Sequence, residues 1–372
     1  MKKRIISVLL CLAMAATLVT GCSDSTKEDT DKSGSESKEP SAAYGESVWK
    51  DVVDYGPADG KTDKDYAFGG VFGAINSYSD PMQAAADEAA EELGIPVTQF
   101  DAPKDWVQND QNTILDGLIA KGLKGIYMMT SDPVAGNEQI SKMVGSGVPV
   151  VCVGGSPDTP SEATLTLATD VYQASYDGTI NLIEAMGQKG GVVGLCGAVT
   201  DTNTQSRMKA IEDACAEYPD VNLVQIIGDI DESEASVTAV ENILAAKGDQ
   251  INGFISTCYY PSVALASILS EDKYSEIHAI GCDTDEAVLD GIKSGALDGT
   301  MSQNPWGQAY LATVTLKMLT DGWTYKDGED FLIDSGSFYI TSENVDKVEE
   351  TQKEATMEIA KSWADKFEAP AE

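Results

Sequence analysis

The sequence has 372 residues, 42% of them hydrophobic, which is enough to bury a sizeable core and, at roughly 100 to 200 residues per domain, to build two domains. Against 25 Lys and Arg stand 61 Asp and Glu, a formal charge of −36. A surface this acidic repels phosphate backbones and anionic membrane surfaces, which excludes nucleic acid as a partner, and a single His leaves no room for a histidine-rich metal site or His-based acid–base chemistry.

In chain order, Lys2, Lys3 and Arg4 precede an apolar run over 5–19, the pattern of a signal peptide spanning 1–21. The run is 15 residues long, short of the roughly 20 that a membrane-spanning helix needs. It closes on Val19-Thr20-Gly21-Cys22, which resembles the lipobox of bacterial lipoproteins. That resemblance implies cleavage before Cys22 and lipidation of its sulfur with a diacylglycerol. Two acyl chains anchor a protein stably without a spanning helix. Removal of 1–21 takes away three positive charges and no negative one, so the mature chain stands at −39. Residues 22–65, rich in Ser, Asp, Glu, Lys and Gly, read as a lipid-anchored disordered linker.

From Tyr66 onward short apolar or β-branched runs alternate with amphipathic segments, the pattern of parallel sheets covered by helices. The runs predict strands at 66–72, 96–100, 125–129, 148–153, 164–168, 191–196, 222–227, 253–257, 278–281 and 299–302. Helices are predicted at 81–93, 107–121, 134–145, 171–186, 205–217, 233–245, 261–270, 286–293 and 305–319, with Pro81 and Pro305 in first turns, where a missing N–H costs nothing. A phase change near 164–170 divides the α/β alternation into two Rossmann-like lobes joined by a hinge. The first is assigned 66–168 plus about 304–331 and the second 169–303 plus about 332–342. Apolar positions at Val345, Val348, Ala355, Ile359, Trp363 and Phe367 put a C-terminal helix and tail over 343–372, packed on the body or left for a partner.

Ligands of open α/β sheets bind beyond the carboxyl ends of the strands. The residues there carry a resemblance to the periplasmic sugar-binding proteins of ribose-binding type, the solute receptors of ABC importers, across about 66–340. Ala74-Ile75-Asn76-Ser77-Tyr78 is similar to that family's Asn-Pro-aromatic turn, which implies that Asn76 bonds a hydroxyl and Tyr78 stacks on a ring. Gln205-Ser206-Arg207 matches its second-lobe Arg, Ile280-Gly281-Cys282-Asp283 its Gly-Phe-Asp strand end with Cys for Phe, and Gly299 to Pro305 the strand into the hinge that supplies Gln303. Where many of its members carry Asp-Arg, this chain has Gly154-Gly155-Ser156, which leaves space for a bulkier ligand or backbone contacts. The place of a family phenylalanine falls near Asp231.

A sugar presents hydroxyls that both donate and accept around an apolar face; planar polar side chains satisfy the first and aromatics cover the second. Tyr78, Trp106, Tyr172, Tyr259, Tyr260 and Trp306 lie in or beside loops facing the expected cleft, each open to ordinary packing instead. Asp283 and Asp170 also stand where a helix cap would, Arg207 could pair with Glu212, and Gln303 could serve the hinge alone. The expected ligand set is therefore Asn76, Tyr78, Gly155, Ser156, Asp170, Arg207, Asp231, Tyr259, Tyr260, Asp283, Gln303 and Trp306.

Chemistry is otherwise absent from the sequence. Gly117 and Gly122 have phosphate-loop spacing, but Leu123 replaces the Lys. Asp229-Ile230-Asp231 opens like a calcium loop, but Glu234 and Val240 replace its Gly and bidentate Glu. Apart from Cys11 and Cys22, the cysteines at 152, 196, 215, 258 and 282 are odd in number, and those at strand ends read as buried thiols. The expectation is an extracytoplasmic lipoprotein, no enzyme and without cofactor or metal, that works as a monomer. It captures a small neutral solute, a sugar or polyol, for ABC permease subunits. A sensor of the same fold signalling to a kinase or chemoreceptor, a nucleoside binder and a ligand-free adhesin stay open.

Overall fold

The β-branched runs become short strands whose side chains are buried on both faces, as parallel strands covered by helices on either side must be. The computed structural model describes residues 48–370 apart from 51, 74, 76, 77 and 105. The signal segment, Cys22 and Asn76 lie outside the described residues.

The first lobe is built from β1 (Phe68–Val71), α1 (Asp80–Glu92), β2 (Gln99–Asp101), α2 (Gln108–Ala120), β3 (Gly125–Met128), α3 (Ala135–Gly145), β4 (Val150–Val153) and β5 (Leu165–Ala168). The second holds α4 (Val171–Ala185), β6 (Gly190–Leu195), α5 (Thr202–Ala216), β7 (Val221–Ile227), α6 (Ser233–Lys247), β8 (Gly253–Ser256), α7 (Tyr259–Ile268), β9 (His278–Cys282), α8 (Glu286–Ser294) and β10 (Gly299–Gln303). The chain then returns through α9 (Pro305–Thr320), β11 (Thr324–Tyr325) and β12 (Leu332–Asp334), re-enters the second lobe as β13 (Ser337–Ile340), and ends in α10 (Val348–Ala360) and β14 (Phe367–Glu368).

Strand order is β12-β5-β4-β3-β1-β2 in the first sheet and β13-β10-β9-β8-β6-β7 in the second. All neighbours are parallel except β13, antiparallel to β10. The expected two-lobed α/β architecture is present, and the chain passes between lobes after β5, β10 and β12. These crossings are tied together: buried Asn304 accepts the Gly307 N–H at 2.9 Å, capping α9, and donates to the Ser335 carbonyl at 2.8 Å. The Asp170 N–H donates to Asp334 Oδ1 at 3.0 Å.

Three assignments need correction. Residues 332–334 are parallel to β5, so the crossing into the second lobe comes at 335–336 rather than near 332. Residues 48–65 are not tether. Trp49 is only 2% exposed and donates its indole N–H to Tyr310 at 2.9 Å, and Val53 is buried in the same core. A few apolar side chains in a short acidic stretch give no sustained periodic signal, yet one Trp buries more area than several smaller residues. Finally, α10 packs by a face that is largely polar, with Gln352, Lys353 and Thr356 buried beside Ala360. Their partners are Gln303, Glu88 and Asn304, so a hydrophobic period could not reveal that face.

α9 is buried nearly all round, as the central helix of the first-lobe core must be. Its Lys317 has no exposed side-chain surface and bonds Asp321, with its ammonium 5.4 Å from the Tyr66 ring centroid.

Candidate functional site

The carboxyl ends of both sheets meet across a cavity of about 450 Å³. Phe72 follows β1, and the ring of Trp106 lies so close over Gly73 that a Cβ there would sit 2.5 Å from it. The Trp106 indole N–H donates to the Ser131 carbonyl at 2.9 Å. Tyr78 is held by a 2.9 Å bond from its hydroxyl to Gln308 Oε1, and burial pushes its phenol pKa up, so it stays a donor. Met129 follows β3. Gly154 follows β4 with φ 74°, a conformation that suits glycine, and a Cβ there would meet Met129 Sδ at 2.9 Å.

The second lobe supplies the polar wall. Asp201 caps α5, accepting the Thr204 N–H at 2.8 Å, and this sets Asn203 and Arg207 on one face at i, i+4 spacing. The Arg207 guanidinium donates to the Thr257 carbonyl and forms no ion pair with any carboxylate among the described residues, so further donors remain for the cavity it lines. Tyr259 and Tyr260 open α7 in edge-to-face contact, centroids 4.9 Å apart. The Tyr259 hydroxyl donates to Asp285 Oδ2 at 2.9 Å.

Asp283 stands just beyond β9 with φ 64°, a left-handed backbone that Asp tolerates better than most residues but that still stores strain. It is not the helix cap: Asp285 caps α8 by accepting the Ala287 N–H. Instead Asp283 Oδ1 accepts Gln303 Nε2 at 2.9 Å, and the Thr300 hydroxyl donates to its carbonyl at 2.8 Å. Burial raises the Asp283 pKa above the ordinary carboxylate value, while Gln303 and Arg207 pull it back.

Of the expected residues, Tyr78, Arg207, Tyr259, Tyr260, Asp283 and Gln303 gather around the cavity. Gly155, Ser156 and Asp170 line an adjoining hollow, where Asp170 caps α4 by accepting the Gln173 N–H at 2.9 Å. Two placements are corrected. Trp306 is in the first-lobe core, stacked on Tyr310 at 4.8 Å with the Lys353 ammonium 5.2 Å from its ring centroid, because α9 is enclosed on every side. Asp231 is exposed, against Gly197, and its carboxylate takes the Ala198 N–H; it is not among the residues that line the cavity. The expected set lacked Phe72, Ser79, Trp106, Met129, Gly154 and Asn203, although Trp106 was among the aromatics expected beside the cleft. Asn203 was signalled by its spacing to Arg207, whereas Phe72 and Met129 read as core.

The five cysteines of the body are free thiols, four of them buried. Burial pushes Cys215 up to about 11 and Cys152 to about 12, which keeps them protonated. No group of side chains among the described residues could hold a metal ion, and no described helix is long and apolar enough to cross a membrane.

Two hinged α/β lobes closing on a cleft with polar and aromatic walls define a solute receptor of type I periplasmic binding fold. The chain belongs to the periplasmic binding protein domain family, whose model matches residues 71–323. It is 27% identical over 284 residues to the D-apiose import binding protein of Actinobacillus succinogenes, covering 73% of this chain and 90% of that one. A sugar-binding protein of a sugar ABC transporter from Bacillus halodurans superposes with a TM-score of 0.69 at 23% identity, over 75% of this chain and 98% of the other. The arabinose-binding protein AraP of Geobacillus stearothermophilus does so with 0.69 at 24%, over 75% and 97%.

Proposed function

We propose that this chain captures a sugar or sugar-like polyol between its lobes and delivers it to the permease of an ABC importer. One observation carries the reading: Asp283, Gln303 and Arg207 line one cleft together with Phe72, Tyr78, Trp106, Tyr259 and Tyr260. Acceptor, donor and amide can satisfy ring hydroxyls while the aromatics cover the apolar ring face. The relatives named for sugars support the same class of ligand. The chain performs no reaction in this reading; it hinges shut on its ligand, and the closed form is what the permease recognises. It works as a monomer outside the cell, held to the membrane through lipid on Cys22.

The test is a thermal-shift screen of monosaccharides, disaccharides, sugar alcohols and nucleosides on the mature chain. A ligand at 100 times its Kd stabilises by about 2.7 kcal/mol, a melting-point rise of several degrees. A rise with sugars or polyols supports the reading. A rise with nucleosides alone, or none across the panel, overturns it.

A further inference from the structure

Beside the main cavity, towards the crossings after β5 and β12, lies a second hollow of about 310 Å³. Gly154 of the first lobe and Asn203 of the second line both spaces, so the two share a neck. Nothing on the strand end fills that neck. Gly154 has no side chain, and a Cβ on Gly155 would meet only the Met129 methyl, at 3.7 Å. The hollow repeats the chemistry of the cavity. Tyr172, fixed by a 2.8 Å bond from its hydroxyl to Asp213, and Leu332, 51% exposed, offer apolar surface. Ser156 and Ser206 offer hydroxyls, and Asp170 and Asp334 each bind backbone N–H groups through Oδ1, leaving Oδ2 to accept from a ligand.

A ligand of one ring held in the cavity leaves the hydroxyls and carboxylates of this hollow facing water, although the neck between the two spaces is open. We infer that the ligand is disaccharide-sized: one ring in the cavity, a second in the hinge-side hollow, the linkage passing Gly154 and Gly155. The second ring is neutral or cationic, because two carboxylates with no Lys or Arg among the hollow's lining repel a uronic acid or a phosphate. This rests on the reading of the chain as a sugar receptor.

The experiment is calorimetric titration of the mature chain with matched probes: glucose, galactose and xylose against cellobiose, maltose, lactose, gentiobiose and xylobiose. At least one disaccharide is expected to bind about tenfold or more tighter than its monosaccharide. Gly155→Leu, which puts a side chain into the neck, is expected to cut the ratio of the two Kd values by about tenfold. Ser206→Tyr, which fills the hollow from the opposite lobe, is expected to do the same; melting points establish that both fold. Monosaccharides binding as tightly as every disaccharide, or both variants weakening the two classes alike, overturn the inference and leave the sugar reading standing. Failure of all sugars to bind overturns both.

Discussion

Gln303 donates from Nε2 to Asp283 Oδ1 at 2.9 Å, joining the end of β10, at the lobe crossing, to the strained residue beyond β9. The bond uses one oxygen of the carboxylate and aims the group into the cleft beside Arg207. Among the described residues neither charged group has an ion-pair partner, so beyond the Gln303 and Thr257 bonds both keep hydrogen-bonding capacity for a ligand hydroxyl. Hydrogen bonds to charged groups contribute about 1.5–3 kcal/mol. Asp283→Ala and Arg207→Ala are each expected to weaken ligand binding by about tenfold to a hundredfold, read by calorimetry. The unliganded melting point should stay within a few degrees, since neither side chain supports the core. Retention of full affinity by both variants would remove these residues from the site.

The same carboxylate makes the unliganded protein sensitive to pH. Its folded pKa is raised by burial above the ordinary carboxylate value of about 3.8, so between the two values the folded state binds more protons than the unfolded state. Stability attributable to this group is therefore largest below 3.8 and falls as pH rises through the folded value. Asp283→Asn, which keeps the amide-sized shape and the tolerance of positive φ, is expected to be more stable than the parent at pH 7. The difference should close as the pH is taken below about 4. A gap that widens on acidification contradicts the burial argument.

The alternation that specifies two parallel sheets was legible because strands buried on both faces must be apolar and helices covering them amphipathic. Asp283, Gln303 and Arg207 were legible because they follow strands or open helices at the carboxyl edge. Other features depend on distant partners. Asn304 bonds Thr356 and Ser335, 52 and 31 residues away, so neither the tie between crossings nor the polar face of α10 has a local signal. Trp306 misled because Pro305 follows a hinge strand, and only the enclosure of α9 decides that its ring turns into the core. Asp231 rests only on the resemblance, at the place of a phenylalanine in the ribose-binding type, and an exposed acid that takes a backbone N–H has no need of a cleft.

Lys317 offers a measurement of the core alone. A fully buried ammonium bonded to Asp321, which also accepts from the Tyr66 hydroxyl, is stable only while both charges are present. Lys317→Ala leaves a buried carboxylate without its cation and is expected to destabilise by about 3–5 kcal/mol in urea denaturation. Lys317→Met with Asp321→Asn removes both charges, keeps an acceptor for Tyr66 and should recover most of that loss. A single variant as stable as the parent would mean that the pair is open to water.

Trp49 discriminates most sharply between a tether and a folded strap. A residue in a disordered leash contributes nothing to stability, whereas Trp49 fills core beside Tyr310, whose hydroxyl accepts its indole N–H and donates to Glu92. Trp49→Ala removes a large buried ring and is expected to cost about 3–5 kcal/mol in urea denaturation. Trp49→Phe keeps most of the packing but leaves the Tyr310 oxygen without its donor, so a loss of about 1–3 kcal/mol is expected. The order Ala below Phe below parent follows from packing plus one hydrogen bond. Equal stability of all three would return residues 48–65 to the linker and shift the start of the folded body to Tyr66.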